Sequence, residues 1–164
     1  MLIHYLIVFA VSMVPLIELR GAIPYAVFFI QAGYPLNLPL CYVIAIVGNM
    51  LPVPIIFFFA RKVLEWGADK PVIGGFFSWC LEKGHKGGEK LKSKAGKGLF
   101  IALLLFVGIP LPGTGAWTGT LAASILDMDF KDSVIAVMCG VILAGIIMGI
   151  ASTGVFGAIF SFAG

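Results

Sequence analysis

Gly108-Ile109-Pro110-Leu111-Pro112-Gly113-Thr114-Gly115-Ala116-Trp117-Thr118-Gly119 interrupts an otherwise apolar run in the second half of this chain. Proline removes a backbone donor and glycine weakens a helix, so no helix runs through these residues. A second break, Glu18-Leu19-Arg20-Gly21-Ala22-Ile23-Pro24, occupies the matching place in the first half, and one long hydrophobic segment follows each. Interrupted segments at corresponding positions of two halves point to an inverted repeat with its binding site at the interruptions. Irregular backbone at membrane depth persists only where protein buries it or water reaches it.

Composition sets the class. The 164 residues are 60% hydrophobic and 12% charged, with a mean hydropathy of +1.08, whereas soluble domains carry roughly 25% charged residues. The expectation is a single all-α integral membrane domain, an inverted repeat of two re-entrant helical hairpins and two full transmembrane helices. The start of the chain lacks the positive n-region and cleavage site of a secretory signal, so the first apolar stretch reads as retained. Cys41, Cys80 and Cys139 are odd in number and lack ligand spacing, which gives neither a disulfide framework nor a metal site. No cofactor and no nucleic-acid partner is implied.

Charge sets the orientation. Nine of the eleven Lys and Arg residues fall between Arg61 and Lys97, against four acidic residues there, for a formal net of +5. By the positive-inside rule this connector is cytoplasmic, on a multi-pass protein of the inner (plasma) membrane. The first repeat is then residues 1–63, the basic connector 64–97 and the second repeat 98–164. Leu38–Ala60 and Ser133–Phe160 read as full spans, which puts the C-terminus outside. Ile23–Gly33, Gly98–Gly108 and Trp117–Leu126 are about 16 Å each as helices, half of a ~30 Å hydrocarbon core, so they enter and turn back. Residues 1–17, at ~25 Å, either cross or re-enter. The first hairpin enters from outside and the second from the cytoplasm, which brings the two turns tip to tip. In the connector, Ile73–Leu81 carries Phe76, Phe77 and Trp79 beside Lys83, Lys86 and Lys90. It reads as an interfacial amphipathic element or as a solvated loop.

The motifs ELRGAIP at 18–24, GN-x-LPVP at 48–54 and IPLPGTGAWTG at 109–119 resemble the bacterial and archaeal family of small multidrug export proteins, across nearly the whole chain. That family is in turn similar to the DedA/VTT membrane proteins, which share paired re-entrant hairpins. The resemblance implies transport or scrambling of lipids, polyprenyl-phosphate carriers among them, with acidic and basic residues inside the membrane. DedA-type second hairpins are followed by an arginine-bearing segment, whereas Arg20 is the only Arg or Lys at membrane depth in this chain.

Glu18 and Arg20 are the ionisable pair of the apolar regions, and charges there are costly and mark function by default. Arg20 offers a planar fork for phosphate or carboxylate. Glu18, in surroundings of low dielectric, is the candidate proton carrier. The bland alternative is a structural ion pair locking the turn. Two residues apart on a helix they do not share a face, so a non-helical turn is required for them to meet. In the second break, Gly113, Thr114 and Gly115 let backbone amides face inward, and the helix opening near Ala116 presents a positive dipole end to an anion. The same small residues also permit close helix packing. Gly21 belongs to the first break. Asn49 either caps broken backbone or lines the pathway, and Trp117 stacks on substrate or packs on the opposite hairpin.

The leading expectation is a transporter or flippase for an amphiphilic anion such as a lipid-linked (polyprenyl) phosphate. Arg20, Gly21, Asn49, Gly113, Thr114, Gly115 and Trp117 would bind it and Glu18 would couple a proton. Efflux of small hydrophobic cationic drugs is the alternative, against which Arg20 counts. A non-transporting membrane scaffold is the third reading. No nucleophile–base set or phosphate loop marks an enzyme. Two spans and two half-length hairpins shield a pathway poorly from lipid, so a homodimer among membrane lipids is expected.

Overall fold

The computed structural model describes residues 2–69, 75, 78 and 98–163; the element expected at 73–81 lies almost wholly outside them. Among the described residues the chain is all-helical. The first half holds α1 (Leu2–Met13), α2 (Glu18–Gln31), α3 (Leu38–Met50) and α4 (Pro52–Ala68), and the second α5 (Gly98–Gly108), α6 (Ala116–Ile125) and α7 (Phe130–Ala163). Asn37 caps α3 through its side-chain oxygen, which accepts from the Leu40 amide at 3.0 Å. Leu51 keeps helical geometry (φ −60°, ψ −42°), so α3 runs directly into α4.

Leu38–Ala60 and Phe130–Ile159 are each long and apolar enough to cross a membrane, at 23 and 30 residues. The four hairpin arms hold 12, 14, 11 and 10 residues, or roughly 15–21 Å, so none alone matches a ~30 Å hydrocarbon core. α1 therefore falls short of the ~25 Å expected of residues 1–17.

The first break is not where the sequence reading put it. Glu18–Gln31 forms one helix with Pro24 inside it, and the chain turns at 14–17, around Pro15. Leu16 and Glu18 adopt left-handed backbone, with φ of 70° and 53°. Pro24 removes only the amide that would reach the Arg20 carbonyl, while α1, α3 and α7 pack around the helix and hold the rest. The second break is where it was expected. α5 covers Gly98–Gly108, α6 starts at Ala116 rather than Trp117, and α7 starts three residues before Ser133.

Each half runs short helix, short helix, long helix. The first arm of each hairpin packs on its own long helix, α1 on α3 and α5 on α7, while the second arms cross over, α2 onto α7 and α6 onto α4. The register repeats too. Gly48 and Gly140 are each the eleventh residue of their long helix. A Cβ on Gly48 would stand 2.8 Å from the Phe9 carbonyl of α1, and one on Gly140 would stand 2.8 Å from the Leu104 carbonyl of α5. Such close backbone approach is how helices pack without a solvent-driven hydrophobic effect. The crossed arms also bond their hosts: Gln31 Nε2 donates to the Thr153 carbonyl at 3.4 Å, and Ser124 Oγ to the Phe57 carbonyl at 2.9 Å.

Candidate functional site

The second turn, residues 109–115, leaves two helix ends only partly satisfied by their own chain segment, in which the Leu111 amide donates to the Ile109 carbonyl at 2.8 Å and the Thr114 amide to the Leu111 carbonyl at 3.2 Å. α5 stops at Gly108 because Pro110 and Pro112 cannot continue it. α6 starts after Gly115, whose backbone (φ 141°, ψ −172°) is a conformation open to glycine, and no side chain there caps the helix. The first amides of a helix need acceptors and its last carbonyls need donors.

Glu18 supplies the acceptors. At 3% exposed, its Oε2 accepts from the Ala116 amide and its Oε1 from the Trp117 amide, both at 3.0 Å. A carboxylate at a helix amino end is favoured by the backbone dipole and by charge-assisted hydrogen bonds. Gly115 makes room for it, since a Cβ there would overlap the carboxylate, whose Cδ would stand 2.7 Å away.

Arg20 supplies the donors at the other end. Its Nη2 donates to Thr114 Oγ1 at 2.7 Å, to the Val107 carbonyl at 3.4 Å and to the Ile109 carbonyl at 3.5 Å. Nη1 donates to the Leu111 carbonyl. Val107 lies in the last turn of α5, where a cation is matched to the dipole. Thr114 Oγ1 in turn lies 2.8 Å from the Leu111 carbonyl and 3.0 Å from that of Ile109, to which its hydroxyl donates. The acid thus sits at the amino end of α6 and the base at the carboxyl end of α5.

Glu18 and Arg20, two residues apart on α2, make their hydrogen bonds to the second hairpin rather than to each other. The non-helical turn that the sequence reading required for them to meet is absent.

The remaining candidates divide. Thr114, Gly115 and Trp117 join Glu18 and Arg20 directly. Gly113 (φ 80°) shapes the turn and would have open space around a Cβ. Gly21 is a packing position, where a Cβ would overlap Ile17. Asn49 is buried in α3 with Oδ1 unpartnered among the described residues, so that oxygen caps no broken backbone. Arg20 Nε and Trp117 Nε1 are likewise buried without an acceptor among the described residues. Sequence reasoning missed the carbonyls of Val107, Ile109 and Leu111 as the seat of Arg20. A signal was present: the second turn holds no charge yet exposes two helix ends, and one acid–base pair is available in the apolar regions. Among the described residues, no group of three His, Cys, Asp or Glu converges as a metal site would require.

The family described as "Putative small multi-drug export protein" matches residues 18–147, a stretch that begins at Glu18, after the first turn, and takes in the second. The chain belongs to this family, and with its two long apolar helices it is a membrane protein. No curated protein and no solved structure matches it.

Proposed function

We propose that this protein carries an amphiphilic anion, of which a lipid-linked (polyprenyl) phosphate is the type, together with a proton. The observation that supports this is the Glu18 carboxylate bound to the amides of Ala116 and Trp117. A helix amino end that holds two carboxylate oxygens has the donors and the field to hold two phosphate oxygens. Proton uptake removes the charge that keeps Glu18 there. The vacated amides then receive the anion, and when it leaves, Glu18 ionises and caps the helix again. Proton and anion bind together, so anion affinity rises as pH falls.

Arg20 is the charged neighbour of this exchange. Its terminal nitrogens hold the turn's carbonyls away from the anion while its charge stays beside the site. Arg20 Nε and Trp117 Nε1 are donors in reserve. In this reading the hairpins are re-entrant and related by an inverted repeat, and the connector is cytoplasmic. The pathway closes between two copies of the chain, which acts as a carrier and catalyses no covalent step.

Proteoliposomes with an imposed pH gradient test the reading, with labelled polyprenyl phosphate and a cationic dye followed in parallel. Lipid movement that follows the gradient in the native protein, and ignores it in Glu18→Gln, is the expected result. The description of the family favours a second reading, export of hydrophobic cations with Glu18 as counter-charge. Dye movement that needs Glu18 and not Arg20, with no lipid movement, would replace the first reading by this one.

A further inference from the structure

Below the second turn, the arms of the hairpin do not close on each other. A cavity of about 180 Å³ lies between α5 and α6, lined by Leu99, Leu103 and Phe106 on one side and Ala122, Ala123 and Leu126 on the other. Phe106 is 41% exposed, and Ala102, which also borders the cavity, is exposed too, so the space opens to the outer surface of the helices. Apolar cavities of about 150 Å³ stay dry and bind a six-carbon hydrocarbon. This one has the size and lining to do the same.

The corresponding end of the first hairpin is filled. There His4 sits among the rings of Phe29 and Tyr34, at centroid distances of 4.6 and 4.9 Å, and its Nδ1 is 2.9 Å from the Tyr25 hydroxyl. Ala122 and Ala123 are what leave the second hairpin open: alanine carries no side chain beyond Cβ to fill the gap. Ala122 is also six residues along α6 from Ala116, or about 9 Å of helix. An anionic group at the Ala116 and Trp117 amides and a chain end in the cavity are thus within the reach of one amphiphile.

We infer that the cavity between α5 and α6 is the binding site for one hydrocarbon chain end, straight or prenyl, of an amphiphilic ligand. The headgroup part of this inference rests on the function proposed above; the chain site does not. A neutral chain of the same kind would also enter.

The test uses the full chain in phosphatidylcholine vesicles with two probes: a sixteen-carbon fatty acid carrying a diazirine at its last carbon, and the alcohol of the same chain. Light-induced adducts are mapped by mass spectrometry. Adducts should concentrate on Leu103, Phe106 and Leu126 over Ile101 and Leu105, which are 52% and 45% exposed on the same α5. Ala122→Leu should lower the cavity adducts roughly tenfold, as expected for displacing about two methylenes, with Ile101 unchanged. Ala102→Leu fills the space from α5 and serves if the first variant does not fold. Equal labelling of cavity and outer residues, unaffected by filling, would overturn the chain site whatever the flux assay shows. Equal labelling of the cavity by acid and alcohol would keep the chain site and remove the anionic headgroup from it. A preference for the acid that persists or strengthens in Glu18→Gln would support both.

Discussion

Around residues 14–17 the first hairpin closes with its own backbone, the Val14 amide on the Val11 carbonyl at 3.1 Å and the Glu18 amide on the Val14 carbonyl at 3.0 Å. Around residues 109–115 the second hairpin has local bonds too, the Leu111 amide on the Ile109 carbonyl at 2.8 Å and the Thr114 amide on the Leu111 carbonyl at 3.2 Å. It also takes side chains from the other half: Glu18 accepts from two amides, and Arg20 donates to three carbonyls. The bases of the hairpins differ in the same sense as their tips, rings packed on His4 in one and an open cavity in the other. The order of short and long helices recurs, and the chemistry does not. Polar satisfaction that is local ties a turn to itself, whereas satisfaction borrowed from a distant side chain ties one half of the molecule to the other.

The sharpest way to break this contrast is Glu18→Ala. It orphans two helix amides and should cost roughly 3–6 kcal/mol, the value of two hydrogen bonds to a charged group, read as a fall in unfolding temperature in detergent. Transport should fall with it. Gly115→Ala attacks the same joint from the other side. A side chain in that backbone region costs about 1–3 kcal/mol, and its Cβ also expels the carboxylate, so coupling should be lost even where the fold survives. Proton-driven flux compared with counterflow of the labelled ligand reads that difference.

Two glycines test the likeness rather than the difference. Gly48→Ala and Gly140→Ala each push a methyl to 2.8 Å from a facing carbonyl, and each should cost about 1–3 kcal/mol. Nearly equal losses would show that the two halves share one packing register; a large disparity would confine the likeness to the backbone trace. Arg20→Lys is the mildest. A lysine keeps the charge but cannot span the carbonyls of Val107 and Leu111 with a fork, so about 1–2 kcal/mol should go. Anion transport should outlast that change.

Much of the architecture was legible because proline and glycine punctuate it. Gly98–Gly108 matches α5 at both ends, since Gly108, Pro110 and Pro112 terminate one apolar run. The same logic misplaced the first break, because Pro24 was read as a breaker while it sits inside α2, and Pro15, in the actual turn, lay unremarked in an apolar run. A proline tells where an amide is missing, not whether neighbours hold the helix together around it. At the site, Glu18 and Arg20 stood out as charges in apolar surroundings. Their partners did not, because those are backbone groups up to 99 residues away, and side-chain identity does not report where a distant carbonyl points. The repeated glycines escaped notice for a related reason: Gly48 and Gly140 align only when counted from helix starts that sequence places to within a few residues.

The cap on α6 also has a timetable. Glu18 leaves the ribosome 98 residues before Ala116, which at about 5–20 residues per second is a wait of roughly 5–20 s. Throughout that interval α2 carries a carboxylate whose amide donors have not been synthesised. A bilayer tolerates an ionised side chain poorly, so the seating of Glu18 on α6 waits for the second hairpin to be made.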